Sequence, residues 1–166
     1  MDTYAMQAAY HMKTFGTTRE QIAFASSKNH AMGALNPNAQ YRFNITPEEV
    51  LNDREISWPL TRAMCSPVGD GAAAALLCSG RFLRKLPQIV QERAIAVSAS
   101  VLTGGKYRDL AEPGLSHVAA KKAYAKAGLM PSDIDIAEVH DATSFCEIYQ
   151  AEMLDLMICN QRLPQV

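Results

Sequence analysis

His140 and Asp141 are the residue pair in this sequence best suited to chemistry. They fall between an alternating apolar and polar stretch, residues 134–139, and a segment beginning Ser144-Phe145-Cys146-Glu147 that has the pattern of a helix start. A strand end followed by a helix start is where open α/β sheets commonly place a ligand crevice. A histidine there can donate a hydrogen bond to a developing oxyanion, or hold a water that does, with support from the positive end of the helix. It can equally serve structure by bonding neighbouring backbone. Residue types and spacing leave both roles open.

The loop Ser66-Pro67-Val68-Gly69-Asp70-Gly71 is a second candidate. Its glycines permit close approach of a phosphate or pantetheine group to the backbone, and Ser66 adds a polar contact, although an ordinary turn has the same composition. The four cysteines, at 65, 78, 146 and 159, form no CxxC pair, and the histidines at 11, 30, 117 and 140 stand at no metal-like spacing from them. Neither a disulfide scaffold nor a metal site is expected. Cys65 and Cys78 have no basic neighbour in sequence to lower the thiol pKa, so neither is assigned as a nucleophile.

Several elements must position these groups. Tyr4, Ala8, Met12 and Phe15 recur at helical spacing before Gly16, which predicts an amphipathic helix. Thr17…Glu20 and Thr18…Gln21 are overlapping capping boxes that open a second helix expected to reach His30. Residues 31–44, rich in Gly, Asn and Pro, predict irregular chain. Thr46-Pro47-Glu48-Glu49 then starts a short helix ending near Asp53.

Residues 72–79 contain an alanine run that favours helix on propensity alone. Residues 93–101, with small and branched side chains, predict a buried strand, and a helix is expected from Ser116 to Ala127 with Gly128 as its stop. Strand, helix, strand and helix in this order define an α/β layered domain.

The composition, 48% hydrophobic and 20% charged over 166 residues, is that of an ordinary globular domain. A formal net charge of −1 with no basic stripe argues against nucleic acid as a partner. The apolar runs are far shorter than the roughly 20 residues needed to span a membrane. With neither a basic leader nor a hydrophobic signal core at Met1-Asp2-Thr3-Tyr4, the cytoplasm is the default compartment.

Four blocks together resemble the thiolase superfamily, in the branch of the sterol-carrier-protein-type thiolases and acetyl-CoA acetyltransferases. They are Phe15-Gly16-Thr17-Thr18-Arg19-Glu20-Gln21-Ile22-Ala23, Ser27-Lys28-Asn29-His30 through Asn36-Pro37, Cys65-Ser66-Pro67-Val68-Gly69-Asp70-Gly71-Ala72-Ala73-Ala74, and Glu138-Val139-His140-Asp141-Ala142-Thr143-Ser144-Phe145. The resemblance implies an incomplete α/β thiolase fold, layered αβαβα. Residues 1–79 would end the N-terminal half, including part of its loop domain, residues 80–154 would begin the C-terminal half, and residues 155–166 would form a divergent tail. It turns residues 72–79 from helix into the last strand of the first half, where burial between layers lets small residues suffice.

The resemblance also implies roles. His140-Asp141 replaces the family's Asn-Glu pair, whose first residue helps hold the water of an oxyanion hole, and Ser66 matches a serine along the pantetheine arm of coenzyme A. The family's nucleophilic Cys would precede this chain, and its Gly-His-Pro histidine and second Cys would follow it, which implies an internal fragment inactive alone. The expected function is that of a thiolase-like acyl-CoA C-acyltransferase. Its alternatives are a non-catalytic remnant that binds acyl-CoA or a partner subunit, and a retro-aldolase acting on a steroid-derived acyl-CoA. Coenzyme A enters as part of the substrate and no other cofactor is expected. The complete family member would be a homo-oligomer.

Overall fold

The computed structural model describes residues 1–105 and 107–157. In chain order the helices are α1 (Asp2–Phe15), α2 (Arg19–Leu35), α3 (Pro47–Asn52), α4 (Gly80–Leu83), α5 (Gln88–Arg93), α6 (Leu115–Ala127) and α7 (Ser144–Met153). Strands β1 (Glu55–Ser57) and β2 (Leu60–Thr61) pair antiparallel between α3 and a single 3₁₀ turn at Arg62–Met64. The described chain is helix-rich with one small sheet.

Helix ends follow local chemistry. Gly16 closes α1 and Gly128 closes α6, each in the left-handed conformation, at φ 79° and φ 69°. There a side chain would clash with the backbone, so glycine is the natural stop. Thr18 and Gln21 form the expected capping box of α2, and at the expected start of α3 Thr46 and Glu49 form a second one. Helix α2 continues to Leu35, past the expected stop at His30, and Asn36 ends it.

The core joins Ala5 and Ala8 of α1, Ile22 and Ala23 of α2, Val50 of α3, Leu60 of β2, Met64 of the 3₁₀ turn, and Phe145 of α7. The buried stripe of α1 is Ala5, Ala8 and His11, whereas Phe15 is half exposed. The stripe is thus displaced from the expected one, because α7 presents Glu152 to His11 and gives that ring a polar reason to be inside. Through Phe145, residues far apart in sequence close on the first 64, and α7 becomes the element that carries the site.

Three strand expectations are not met. Residues 72–79, 93–101 and 134–139 have no ladder partner among the described residues; residues 72–79 form no helix either, and Arg93 ends α5. Nor are they buried: Leu76 is 102% exposed, Ile95 89% and Ile136 82%. A strand is stable only when a neighbour takes up its N–H and C=O groups and a second layer covers its apolar face. The described residues supply neither, so the layered arrangement is not formed among them.

Candidate functional site

The two loops selected from sequence meet at the start of α7. Cys65 and Thr143 form an antiparallel bridge, and the Ser66 N–H donates to the Ala142 carbonyl at 3.1 Å. The Ser66 hydroxyl donates to the same carbonyl, also at 3.1 Å. Ser66 is thereby held to the residue that directly follows His140-Asp141, although Ser66 and His140 lie 74 positions apart in sequence. His140 and Asp141 are exposed; Asp141 lines the groove described next, whereas His140 does not.

A groove of about 220 Å³ adjoins this junction. Asn29 and His30 of α2, Tyr41, Ser66, Asp141 and Ser144 supply its polar lining. Helix α2 is held to α7 by Glu147, whose carboxylate accepts from Lys28 Nζ and, at 2.6 Å, from Asn29 Nδ2. This replaces the expected Ser144…Glu147 capping box. Thr143 is the N-cap residue and makes no side-chain cap bond, while Ser144 sits one position later and points inward. A nearby Lys and Asn outcompete the backbone N–H because charge-assisted bonds to a carboxylate are the stronger ones.

His30 was not selected from sequence. Its ring stacks on Tyr41 with centroids 5.9 Å apart and lies 4.8 Å from the Phe43 ring, and its Nδ1 is buried with no hydrogen-bond partner among the described residues. Ser144 also lines the groove, and its Oγ is buried with no hydrogen-bond partner among the described residues. The sequence signal for His30 was its place in the Ser27-Lys28-Asn29-His30 block on a helix opposite Ser66. Cys65 also lines the groove, and burial pushes its thiol pKa up. That is the reverse of what a thiolate nucleophile needs, in accord with its exclusion.

A larger cavity, about 540 Å³, lies by the other end of α7, against α1 and the chain before α6. Neither Ser66 nor His140 lines it. In its wall His11 is 4% exposed, bonded through Nδ1 to Thr17 Oγ1 at 2.8 Å and through Nε2 to Glu152 Oε2 at 2.9 Å. Both ring nitrogens are occupied, so His11 locks α1 and the start of α2 to α7. Among the described residues no group of three or more His, Cys, Asp or Glu side chains could hold a metal ion. No described helix is long and apolar enough to cross a membrane.

The family described as thiolase C-terminal domain-like matches residues 96–161. An acetyl-CoA acetyltransferase of Methanothermobacter thermautotrophicus is 39% identical over 152 residues, covering 91% of this chain and 40% of that protein. The benzoylsuccinyl-CoA thiolase subunit BbsB of Thauera aromatica is 34% identical, covering 92% of the chain and 40% of the subunit. Sterol carrier protein 2 of Bos taurus is 36% identical, over 88% of the chain and 28% of that protein. With the helix-rich arrangement and small sheet, these matches define an incomplete α/β fold of thiolase type. The chain belongs to the thiolase superfamily and is related to its acetyl-CoA acetyltransferases and sterol carrier protein 2. It spans 40% or less of the length of these relatives.

Proposed function

We propose that this chain contributes part of the acyl-CoA site of a thiolase-like C-acyltransferase, which makes or cleaves a carbon–carbon bond next to a coenzyme A thioester. The observation that carries this reading is the junction of Ser66 and Ala142, which sets the Ser66 loop against His140-Asp141 at the N-terminus of α7. Ser66 lies along the pantetheine arm. His140, exposed on the loop before α7, donates to the charge that develops on the thioester oxygen or orients a water that does so, with the α7 dipole adding positive potential. This interaction strengthens as charge develops, so it acts on the transition state more than on substrate binding.

The division of the chain near residue 79, with the loop domain before it and the C-terminal half after it, belongs to the same reading. Cytoplasmic location, homo-oligomeric assembly and coenzyme A as substrate with no other cofactor are part of it as well. The experiment is calorimetric titration of coenzyme A and acetyl-CoA into the full chain and into Ser66→Val. Saturable binding weakened by the substitution is expected. Absence of binding up to roughly 1 mM, the weak end of specific affinity, would reject the reading. In an active enzyme containing this chain, His140→Ala should lower kcat by about 10²- to 10³-fold with a smaller change in KM, as for loss of one oxyanion donor.

A further inference from the structure

The cavity of about 540 Å³ between α1, α7 and the chain before α6 is of the size that holds a small organic molecule. Its wall is mostly apolar, with Phe15, Leu110, Pro113 and Met153 among its side chains, and Tyr10 and Tyr149 add two more flat rings. Two charged groups break this surface. Glu152 gives Oε2 to His11, but its Oε1 has no hydrogen-bond partner among the described residues and is not closed to solvent, the side chain being 12% exposed. Arg108 is seated against the start of α6: a Cβ on Gly114 would come within 2.7 Å of the Tyr149 hydroxyl and 3.0 Å of Arg108 Nη1, so glycine leaves the space that both fill. Nη1 is shut off there, whereas Nε and Nη2 stay open and without a partner among the described residues.

These groups define what a guest must offer. The open oxygen of Glu152 calls for a donor, and the open guanidinium N–H groups call for an acceptor. A hydroxyl supplies both, an ether or ketone only accepts, and a hydrocarbon does neither. A carboxylate or phosphate could meet Arg108 but would also face Asp109, Glu112, Glu152 and Asp155. An ammonium would answer Glu152 and leave Arg108 as an unpaired like charge in the same wall. The rings of Tyr10, Phe15 and Tyr149 suit a flat apolar body, since aromatic surfaces pack well edge to face or offset.

We propose that this cavity binds a neutral hydroxylated aromatic compound, a phenol or naphthol, whose hydroxyl donates to Glu152 and accepts from Arg108. The site shares neither Ser66 nor His140 with the acyl-CoA reading and stands independently of it. 2-Naphthol and 2-methoxynaphthalene have the same ring system and the same oxygen, but only the first is a donor. In calorimetric titration of the full chain, 2-naphthol should bind saturably, about tenfold more tightly than its methyl ether, equivalent to about 1.4 kcal/mol. Glu152→Gln should bring that ratio towards one. Arg108→Met, which leaves the His11–Glu152 bond alone, should weaken both ligands by about tenfold, with circular dichroism confirming that each variant folds. Equal binding of the two ligands, or tighter binding of 2-naphthoate or 2-naphthylmethylamine, would overturn the proposal. So would binding unchanged by both substitutions, which would place the ligand on the exposed apolar segments, or no binding up to roughly 1 mM. Each of these failures leaves the acyl-CoA reading standing.

Discussion

Ser66 and Ala142 are joined by two hydrogen bonds to one acceptor, the Ser66 N–H and hydroxyl both donating to the Ala142 carbonyl at 3.1 Å. The pairing extends the Cys65–Thr143 bridge by one residue and fixes the His140 loop from outside the core. Because the hydroxyl bond is exposed, Ser66→Ala should lower stability by less than about 1 kcal/mol. Ser66→Pro removes the N–H donor as well and should cost measurably more. Urea unfolding of the two variants checks the order, and equal midpoints would show that the junction does not form in solution.

Glu147 rather than Ser144 holds the start of α7. Glu147→Ala leaves Lys28 and Asn29 without their acceptor and should cost about 1–2 kcal/mol, discounted because Lys28 is partly exposed. Ser144→Ala, measured without ligand, removes a buried hydroxyl that has no partner and should be neutral or slightly stabilising. A loss above about 1 kcal/mol for Ser144→Ala would restore the capping role that the residue pattern suggests.

How far the chain is legible from its residues depends on where each element finds its partners. Gly16, Thr18, Thr46 and Gly128 act within a turn of their own positions, and the structure has each in its expected role. His11, His30 and Glu147 are satisfied or left unsatisfied by residues far away in sequence, and no local pattern announces them. Residues 72–79, 93–101 and 134–139 show the other side of this rule. The residue pattern of the last two, and for residues 72–79 the family resemblance, points to a covered sheet, yet sheet formation depends on neighbours that the described residues do not provide. For Ser66 and His140, the family resemblance paired two loops that physical reading alone left as separate possibilities, and the structure brings the loops together.

Acid should weaken the first half through its helix starts. Hydrogen bonds from the Thr46 backbone and hydroxyl hold the Glu49 carboxyl below its ordinary value. Backbone and Thr18 hydrogen bonds do the same for Glu20. A depressed folded-state pKa means that stability is fully present above the unfolded carboxyl value, about 4.3, and is lost as pH falls through the folded value. Thermal scans from pH 6 downward should therefore show a falling Tm below the ordinary glutamate range. Glu49→Gln keeps an acceptor for the N-cap N–H while removing the titration, so its Tm should fall less steeply. Parallel curves for variant and parent would remove Glu49 as a source of the acid sensitivity.

The exposed apolar segments make the chain prone to association. Leu76, Ile95, Leu102 and Ile136 are each more than four-fifths exposed, and they lie on chain whose backbone has no ladder partner among the described residues. Apolar side chains exposed in this way lower their free energy by contact with another apolar surface, and unpaired backbone adds a template for strand pairing. The isolated chain should bind a hydrophobic dye and show concentration-dependent association in sedimentation velocity. Replacing Leu76, Ile95 and Ile136 together with Lys should reduce both signals without altering helix content, because none of the three belongs to the core formed around Phe145. If the unmodified chain sediments as a single monomeric species at all concentrations and binds no dye, these segments are covered in solution and their exposed arrangement is wrong.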